Sequence, residues 1–201
     1  HRAGFCRVLE RYRILDLSDD RGHFCGMVLA QLGAEVIAIE PPGGQRSRFQ
    51  MPFAGNKKDP EKSLTHWAYN CGKKSVILDI EAQRDNEKFC DLLRGSDILL
   101  EDCHPEYLAS LGLSIKELSQ INPKLIHASI TPYGSNGPRS HWLGTDLTAA
   151  AGSSFMYASG DADRAPLRVG LPHSFLHGAA DAAAASLIAL QERSRSGLGQ
   201  H

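Results

Sequence analysis

Short apolar runs alternate along this chain with longer segments whose apolar residues recur at helical spacing. The runs are rich in Ile, Leu and Val and predict strands at residues 13–17, 35–40, 75–80, 97–101 and 125–130. The longer segments predict helices at residues 23–32, 85–94 and 174–195, two short helices between the last two strands, and a helical region beginning near Asp146. Strands that alternate with helices build a mostly parallel sheet covered by helices. We therefore expect a single Rossmann-like α/β domain over residues 1–201.

Turn residues mark the ends of several of these elements. Gly33 is expected to end the first helix. Ser114, with Glu117 three residues later, forms the capping-box pattern that starts the second short helix, and Asn122-Pro123 ends it. Residues 41–70 are polar and rich in Gly, Pro and Lys, which predicts a long loop that is functional or mobile.

Parallel sheets of this kind bind ligands at the carboxyl ends of their strands. In this chain the loops at those ends follow Leu17, Glu40, Glu101 and Ile130. We expect any binding site to draw on these four loops.

Composition excludes several classes of partner. The chain has 201 residues, 42% of them hydrophobic and 22% charged, with a formal net charge of −1. Near-neutral charge predicts no nucleic-acid or anionic membrane partner, and no apolar run reaches the roughly 20 residues of a membrane span. The first residues carry no apolar stretch typical of a signal peptide. Five scattered cysteines without C-x-x-C spacing predict neither a disulfide framework nor a zinc site, and fit a cytoplasmic protein without a metal.

A dinucleotide-dependent oxidoreductase is one alternative for a Rossmann-like sheet. Glu40 ends the second strand, where an acidic residue can bind a ribose hydroxyl. The turn after the first strand, however, lacks the G-x-G-x-x-G fingerprint. It contains Asp19 and Asp20, whose charges would repel a pyrophosphate. The sequence disfavours this alternative.

Seven motifs occur in an order that resembles the family III CoA-transferases, the group that contains formyl-CoA transferase and carnitine CoA-transferase. The resemblance covers residues 12–201 and rests on segments 13–17, 32–37, 40–44, 70–79, 96–102, 111–113 and 121–126. Members of that family are about twice as long, so the chain resembles the N-terminal part of their large domain. The resemblance implies an interlocked homodimer when the protein is full length. It also implies two substrates, an acyl-CoA and a carboxylic acid.

The family's nucleophile has no counterpart in this chain. In the family an aspartate attacks the acyl-CoA thioester to form an acyl anhydride, and that position falls on Phe175 here. Covalent catalysis of this kind needs a carboxylate. Asp181 lies six residues further along the same helix, turned by about 240° and displaced by about 9 Å, so it is a poor replacement. The related racemases use a histidine before aspartate where this chain has Thr145-Asp146, which disfavours racemisation.

The resemblance also implies a set of CoA-binding positions. These candidates are Arg21, Lys74, Leu78, Asp102 and Cys103. Leu78 matches a position beside the adenine, Lys74 a basic position nearby, and Asp102-Cys103 an asparagine-aromatic pair of the family. Arg21 is a candidate for the CoA phosphates, as are Arg46 and Arg48, although each arginine is equally well interpreted as a surface charge.

The histidines offer weaker signals. His173 and His177 are four residues apart, a spacing that suits a metal pair, but no acidic or cysteine ligand accompanies them. Helix-start packing is the simpler interpretation. His23, His104 and His127 are expected at turns or strand ends, and no Ser-His-Asp order supports a hydrolase.

Two functions therefore remain open. In the first, the chain belongs to a CoA-transferase whose working aspartate lies elsewhere, for example in the second half of a fused two-copy enzyme. In the second, it is a catalytically silent module that binds CoA or supports a dimer. A second copy that carries the aspartate would favour the first.

Overall fold

The computed structural model describes residues 7–201, so Cys6 and the predicted absence of an N-terminal signal segment lie outside the described residues. Five strands form one parallel sheet in the order β3-β2-β1-β4-β5. They are β1 (Arg13–Asp16), β2 (Glu35–Glu40), β3 (Lys74–Ile77), β4 (Ile98–Glu101) and β5 (Ile126–Ser129). All pairings are parallel, which confirms the predicted α/β class.

Seven α-helices accompany the sheet in the described part of the chain. They are α1 (His23–Gln31), α2 (Leu64–Tyr69), α3 (Gln83–Arg94), α4 (Tyr107–Ser110), α5 (Ile115–Ile121), α6 (Asp146–Gly152) and α7 (His173–Ser196). The Ser114–Glu117 capping box is present at the start of α5. Gly197, with a φ of 76°, ends α7 in the left-handed conformation that glycine adopts without strain.

Side-chain alternation along the strands builds a core on each face of the sheet. Ile14 points to the face covered by α1 and α7, where Cys25, Leu29 and Ala183 are buried. Leu15 points to the opposite face and packs with residues of α3 and α5, among others Phe89, Leu93 and Leu118. Helices on both faces explain why the central strands β1 and β4 are buried along almost their whole length.

Two predicted boundaries were wrong. Residues 41–70 contain α2 and three short 3₁₀ turns, Arg46–Phe49, Ala54–Asn56 and Pro60–Lys62, in place of one long loop. Ser63 starts α2 because its hydroxyl accepts the backbone N–H of His66. The third strand, predicted at residues 75–80, runs from Lys74 to Ile77. It ends at Ile77 because that residue pairs with Glu40, the last residue of its partner β2.

The structure also bears on two expectations drawn from composition. Cys25, Cys71, Cys90 and Cys103 are all free thiols. No helix within residues 7–201 combines the length and hydropathy that a membrane crossing needs.

Candidate functional site

The carboxyl edge of the sheet carries a row of buried acidic residues, because β1, β2 and β4 each end in one. Asp16, Glu40 and Glu101 are almost completely buried. A buried carboxylate is costly unless it is paired or hydrogen-bonded. The partners of these three groups therefore decide what remains available to a ligand.

Asp16 at the end of β1 forms a buried ion pair with Lys73. The Lys73 ammonium donates to Asp16 Oδ2 at 2.8 Å, and both side chains are buried. It also donates to the backbone carbonyl of His23 at 2.8 Å and to Asn70 Oδ1 at 2.9 Å. Ser18 donates its backbone N–H to the other oxygen of Asp16. This pair ties α1 and the end of α2 to β1.

Glu40 at the end of β2 is held by Arg48. The guanidinium donates two hydrogen bonds to the carboxylate, at 2.6 and 2.7 Å, and the hydroxyl of Ser75 and the backbone N–H of Gln45 donate to it as well. Burial raises the pKa of Glu40, but the bonds from Arg48, Ser75 and Gln45 outweigh it and lower the pKa to about 2. Glu40 is therefore not free for a ribose, and the charge of Arg48 is not free for a phosphate.

Asp102, directly after β4, fills the turn that follows β1. Its Oδ2 accepts the backbone N–H groups of Asp19, Arg21 and Gly22 at 2.9 to 3.2 Å. In dinucleotide-binding sheets the amides of this turn face the ligand's pyrophosphate. Burial raises the pKa of Asp102 to about 6, although the amides and the Arg21 guanidinium act in the opposite direction. A protein carboxylate thus occupies the place of the phosphate, which weighs against the oxidoreductase alternative.

Arg21 joins this turn to the start of α7. Its guanidinium donates to the backbone carbonyl of Asp102 at 2.6 Å and lies 5.8 Å from the ring centre of Phe175. Phe175 is half-buried in the first turn of α7. The position that the family resemblance assigns to the nucleophile therefore faces a cation at the carboxyl edge of the sheet.

Asp146, the first residue of α6, caps α7 from a distance. Pro172, the residue before α7, offers no side-chain cap. The Oδ1 atom of Asp146 accepts the backbone N–H groups of Ser174 and Phe175 at 2.9 and 3.3 Å instead, and Arg168 lies 3.5 Å from Oδ2. This role was missed in the sequence, because capping patterns are local whereas Asp146 precedes Ser174 by 28 residues.

Two of the candidate CoA-binding residues share an open cavity of about 340 Å³ at the carboxyl edge of β1–β4. Its walls are formed by Leu17, Ile39, Pro41, Leu78, Asp79, Ile80, Glu81, Cys103 and Tyr107. Burial, together with the charges of Glu101 and Asp102, raises the pKa of the Cys103 thiol to about 12. Cys103 therefore contributes a neutral thiol rather than a nucleophile.

Lys74 is not brought to this cavity. It is the first residue of β3 and pairs with Glu35, the first residue of β2, at 2.6 Å. Glu35 also accepts a hydrogen bond from Arg13 at 2.7 Å. These groups lie at the amino end of the strands. Arg46 is exposed next to the carboxyl edge, and its backbone N–H donates to Asp19, whereas its side chain has no partner within residues 7–201.

The remaining sequence candidates fall into separate places. His173 and His177 face each other with their Nε2 atoms 3.0 Å apart, and neither belongs to a group of three metal-ligating side chains within residues 7–201. His104 is exposed. Asp181 is exposed on α7, two turns after Phe175. None of these side chains adds a carboxylate to the start of α7.

Glu101, Ser129, His127 and His201 form a second polar cluster at the end of β4 and β5, which the sequence patterns did not predict. The Ser129 hydroxyl contacts Glu101 and lies 3.0 Å from His201 Nε2, and His127 Nε2 lies 3.4 Å from the Glu101 carboxylate. Burial raises the pKa of Glu101, but hydrogen bonds from His127 and Ser129 lower it further than burial raises it. The cluster borders a separate cavity of about 340 Å³.

An all-parallel sheet with helices on both faces and a polar carboxyl edge defines a ligand-binding α/β protein of the doubly wound class. The sequence profile of CoA-transferase family III matches residues 9–201. The chain belongs to this family, as the motifs predicted.

Relatives and solved structures agree with this assignment. The chain is 38% identical over 191 residues to the succinyl-CoA:(R)-benzylsuccinate CoA-transferase subunit BbsE of Thauera aromatica, covering 94% of this chain and 46% of the relative. It is 36% identical over 182 residues to the acetyl-CoA:oxalate CoA-transferase of Acetobacter aceti, covering 90% and 46%.

Among solved structures, a CaiB/BaiF family protein from Brucella suis superposes with a TM-score of 0.89 at 28% identity, covering 96% of this chain and 51% of that one. A Mycobacterium tuberculosis protein gives a TM-score of 0.84 at 32% identity, covering 94% and 52%. The chain spans about half the length of the relatives it matches.

Proposed function

We propose that this chain is the CoA-binding part of a family III CoA-transferase, and that the nucleophilic carboxylate of the enzyme comes from another segment or subunit. Membership of the family supports CoA transfer as the general chemistry. The observation that carries the second part is the side chain at the start of α7, where Phe175 faces Arg21. One of the similar proteins is itself named as a subunit of a CoA-transferase, so a division of such an enzyme between chains has a parallel.

The cavity that contains Leu78 and Cys103 is the proposed site of the adenine end of CoA. Most of its walls are aliphatic, which suits the faces of a purine ring. Arg21 and Arg46 stand at the same edge and are the proposed contacts for phosphates. Arg48 is excluded because its charge is neutralised by Glu40. Lys74 is excluded because it pairs with Glu35 at the amino end.

The reaction itself requires a group that residue 175 does not offer. A carboxylate oxygen attacks the thioester carbonyl, the C–S bond breaks, and the electron pair leaves with the CoA sulfur, which yields a mixed anhydride. The CoA thiolate then attacks the protein's own carbonyl in this anhydride, which releases the donor acid and leaves a thioester between CoA and the protein. The acceptor carboxylate attacks that thioester, and the released thiolate attacks the acceptor's carbonyl in the second anhydride, which yields the new acyl-CoA and frees the protein carboxylate. A phenyl ring has no lone pair for this step. The carboxylate of Asp146 accepts the backbone N–H groups of Ser174 and Phe175 and so lies beside the first turn of α7. It is buried, and its Oδ1 atom is used as a helix cap.

Calorimetric titration of the chain with CoA tests the binding part of the proposal. We expect saturable binding in the micromolar range or tighter, and binding that weakens in a Leu78→Asp variant, which places a charge in the aliphatic cavity. Ile115→Asp is the matched control, because Ile115 is exposed and lies outside that cavity. Absence of binding by the wild-type chain would contradict the assignment of a CoA site to these residues.

The missing nucleophile is tested by restoring it. In a Phe175→Asp variant incubated with an acyl-CoA, hydroxylamine is expected to convert the anhydride into a hydroxamate carried by the protein at residue 175, detected by peptide mass spectrometry. The wild type and Phe175→Asn are expected to carry no such hydroxamate. Asn matches Asp in shape and lacks only the charged oxygen. A trapped adduct in the wild type would show that the chain carries its own nucleophile. Intact CoA binding with no adduct in any variant would favour the silent binding module.

The assembly and location of the protein are also proposals. An interlocked homodimer is supported by apolar side chains exposed between α6 and α7 and just before α6, among them Trp142, Leu143, Tyr157 and Leu171. Free cysteines support a reducing, cytoplasmic location. Light scattering of the full-length protein tests the dimer, and a monomeric mass at micromolar concentration would refute it.

A further inference from the structure

The turn between β1 and α1 brings two carboxylates and an imidazole together. Asp19 and Asp20 lie in the turn and His23 is the first residue of α1. One carboxylate oxygen of each aspartate and one ring nitrogen of His23 lie within 4.8 Å of one another. Among residues 7–201, these are the side chains that come together as a group of three or more metal-ligating residues.

His23 distinguishes this group from an ordinary acidic turn. The residue is only 3% exposed, and its Nδ1 atom is buried without a hydrogen-bond partner among the described residues. Its ring stacks on Tyr69 with the ring centres 4.4 Å apart, which fixes its orientation. A buried ring nitrogen without a hydrogen-bond partner is energetically costly. Coordination of a cation by the imidazole would give that nitrogen a partner and remove the cost.

The charges around the group are compatible with a cation. Asp19 accepts the backbone N–H groups of Arg46 and Ser47, and Asp20 accepts an amide hydrogen of Gln50 at 2.6 Å. Each carboxylate oxygen has a second lone pair, so these bonds orient the ligands without using them up. The neighbouring ammonium of Lys73 is already paired with Asp16.

We propose that Asp19, Asp20 and His23 bind one divalent transition-metal cation of the Zn²⁺ or Mn²⁺ type. One imidazole nitrogen with two carboxylates favours such ions over Ca²⁺ and Mg²⁺, which prefer oxygen ligands alone. Ligand atoms of a tetrahedral Zn²⁺, each about 2.1 Å from the ion, lie about 3.4 Å apart. Small side-chain rotations in an existing group are enough to close it around the ion.

Titration with Co²⁺, followed by its visible absorption, and calorimetry with Zn²⁺ test the site directly. We expect one equivalent to bind to the wild type and binding to weaken by about tenfold or more in Asp20→Asn, because even outer-shell changes cost 10–100-fold. Asn keeps an oxygen acceptor for Gln50, so the fold is expected to persist. Unfolding in the presence of EDTA verifies this. His23→Gln is the second variant, and it removes the nitrogen ligand without affecting Asp20.

His177→Gln serves as the matched control, because it removes a different close pair of potential ligands, His173 and His177. Its Co²⁺ binding is expected to equal that of the wild type. Wild-type protein that binds no metal would overturn the proposal, as would binding that is lost in His177→Gln and unchanged in Asp20→Asn.

Discussion

Glu40 and Glu101 occupy equivalent places on either side of β1, and their surroundings differ in one partner. Each is the last residue of a strand that flanks β1. Each is buried, contacts a serine hydroxyl from the next strand outward, and accepts a backbone N–H from the loop that follows. Glu40 has in addition the guanidinium of Arg48, whereas Glu101 has the imidazole of His127.

The partner residue makes the two sides of the sheet edge different in charge and in exposure to a cavity. Arg48 is charged at every accessible pH, so near neutral pH the Glu40 side is a stable ion pair that holds residues 46–63 against the sheet through Arg48 and Glu61. His127 is charged only when protonated, and the Glu101 cluster borders an open cavity. We infer that the first side is structural, whereas the second places its polar side chains beside an open cavity.

The largest effect is expected when the ion pair is broken. Glu40→Gln leaves Arg48 without its bidentate partner in a site where Arg48 is only 17% exposed, and the free energy of unfolding should fall by about 3 kcal/mol. Urea denaturation at neutral pH measures it. Glu61→Gln is the control, because Glu61 is the exposed partner of the same arginine and its loss should cost no more than about 1 kcal/mol. Equal losses of unfolding free energy in the two variants would show that burial of the Arg48–Glu40 pair adds nothing to its stabilising effect.

Acid should weaken the Glu40 side in a defined range of pH. The pKa of Glu40 is lowered to about 2 in the folded protein, from the ordinary value of 4.5 that applies to the unfolded chain. Its contribution to stability is therefore complete above about pH 4.5 and is lost as the pH falls toward 2. We expect the difference in unfolding free energy between wild type and Glu40→Gln to shrink by about half or more between about pH 5 and about pH 3. A difference that stays constant would contradict a lowered pKa.

A smaller loss is expected on the other side. Glu101→Gln keeps one carbonyl oxygen, so only one of the bonds from the Ser129 hydroxyl to Oε1 and from the Cys103 backbone N–H to Oε2 persists. It strands no permanent charge, so the loss should be about 1–2 kcal/mol at neutral pH. The same urea titration measures it. A loss as large as that of Glu40→Gln would contradict the difference between the two sides.

The smallest effects concern the feature that the two sides share. Ser75→Ala and Ser129→Ala each remove one hydroxyl donor to a buried glutamate, and each should cost about 1 kcal/mol. Thermal unfolding of both variants under one buffer condition compares them. A clearly larger loss of stability in Ser129→Ala than in Ser75→Ala would indicate that Ser129 contributes more to stabilising its glutamate, because no arginine is bound to Glu101.

Parts of the site followed from sequence and parts did not. The family resemblance assigns Leu78 and Cys103 to CoA-binding positions, and the two residues border one cavity. Lys74 was expected in the same region. It lies apart because it begins β3, and the register of β3 on β2 turns it toward Glu35. A difference of a few residues in position along a strand decides at which end of the sheet a side chain lies.

The sequence by itself determined the order of strands and helices, the caps of individual helices and the family. These are local properties: the spacing of apolar residues, the Ser114–Glu117 pair, and motifs read in order along the chain. Only the tertiary structure decided that Arg48 neutralises Glu40, that Asp102 fills the turn after β1, and that Asp146 caps α7. Such partners meet because parallel strands bring their carboxyl ends to one edge, and no local pattern records which of the charges gathered there will pair.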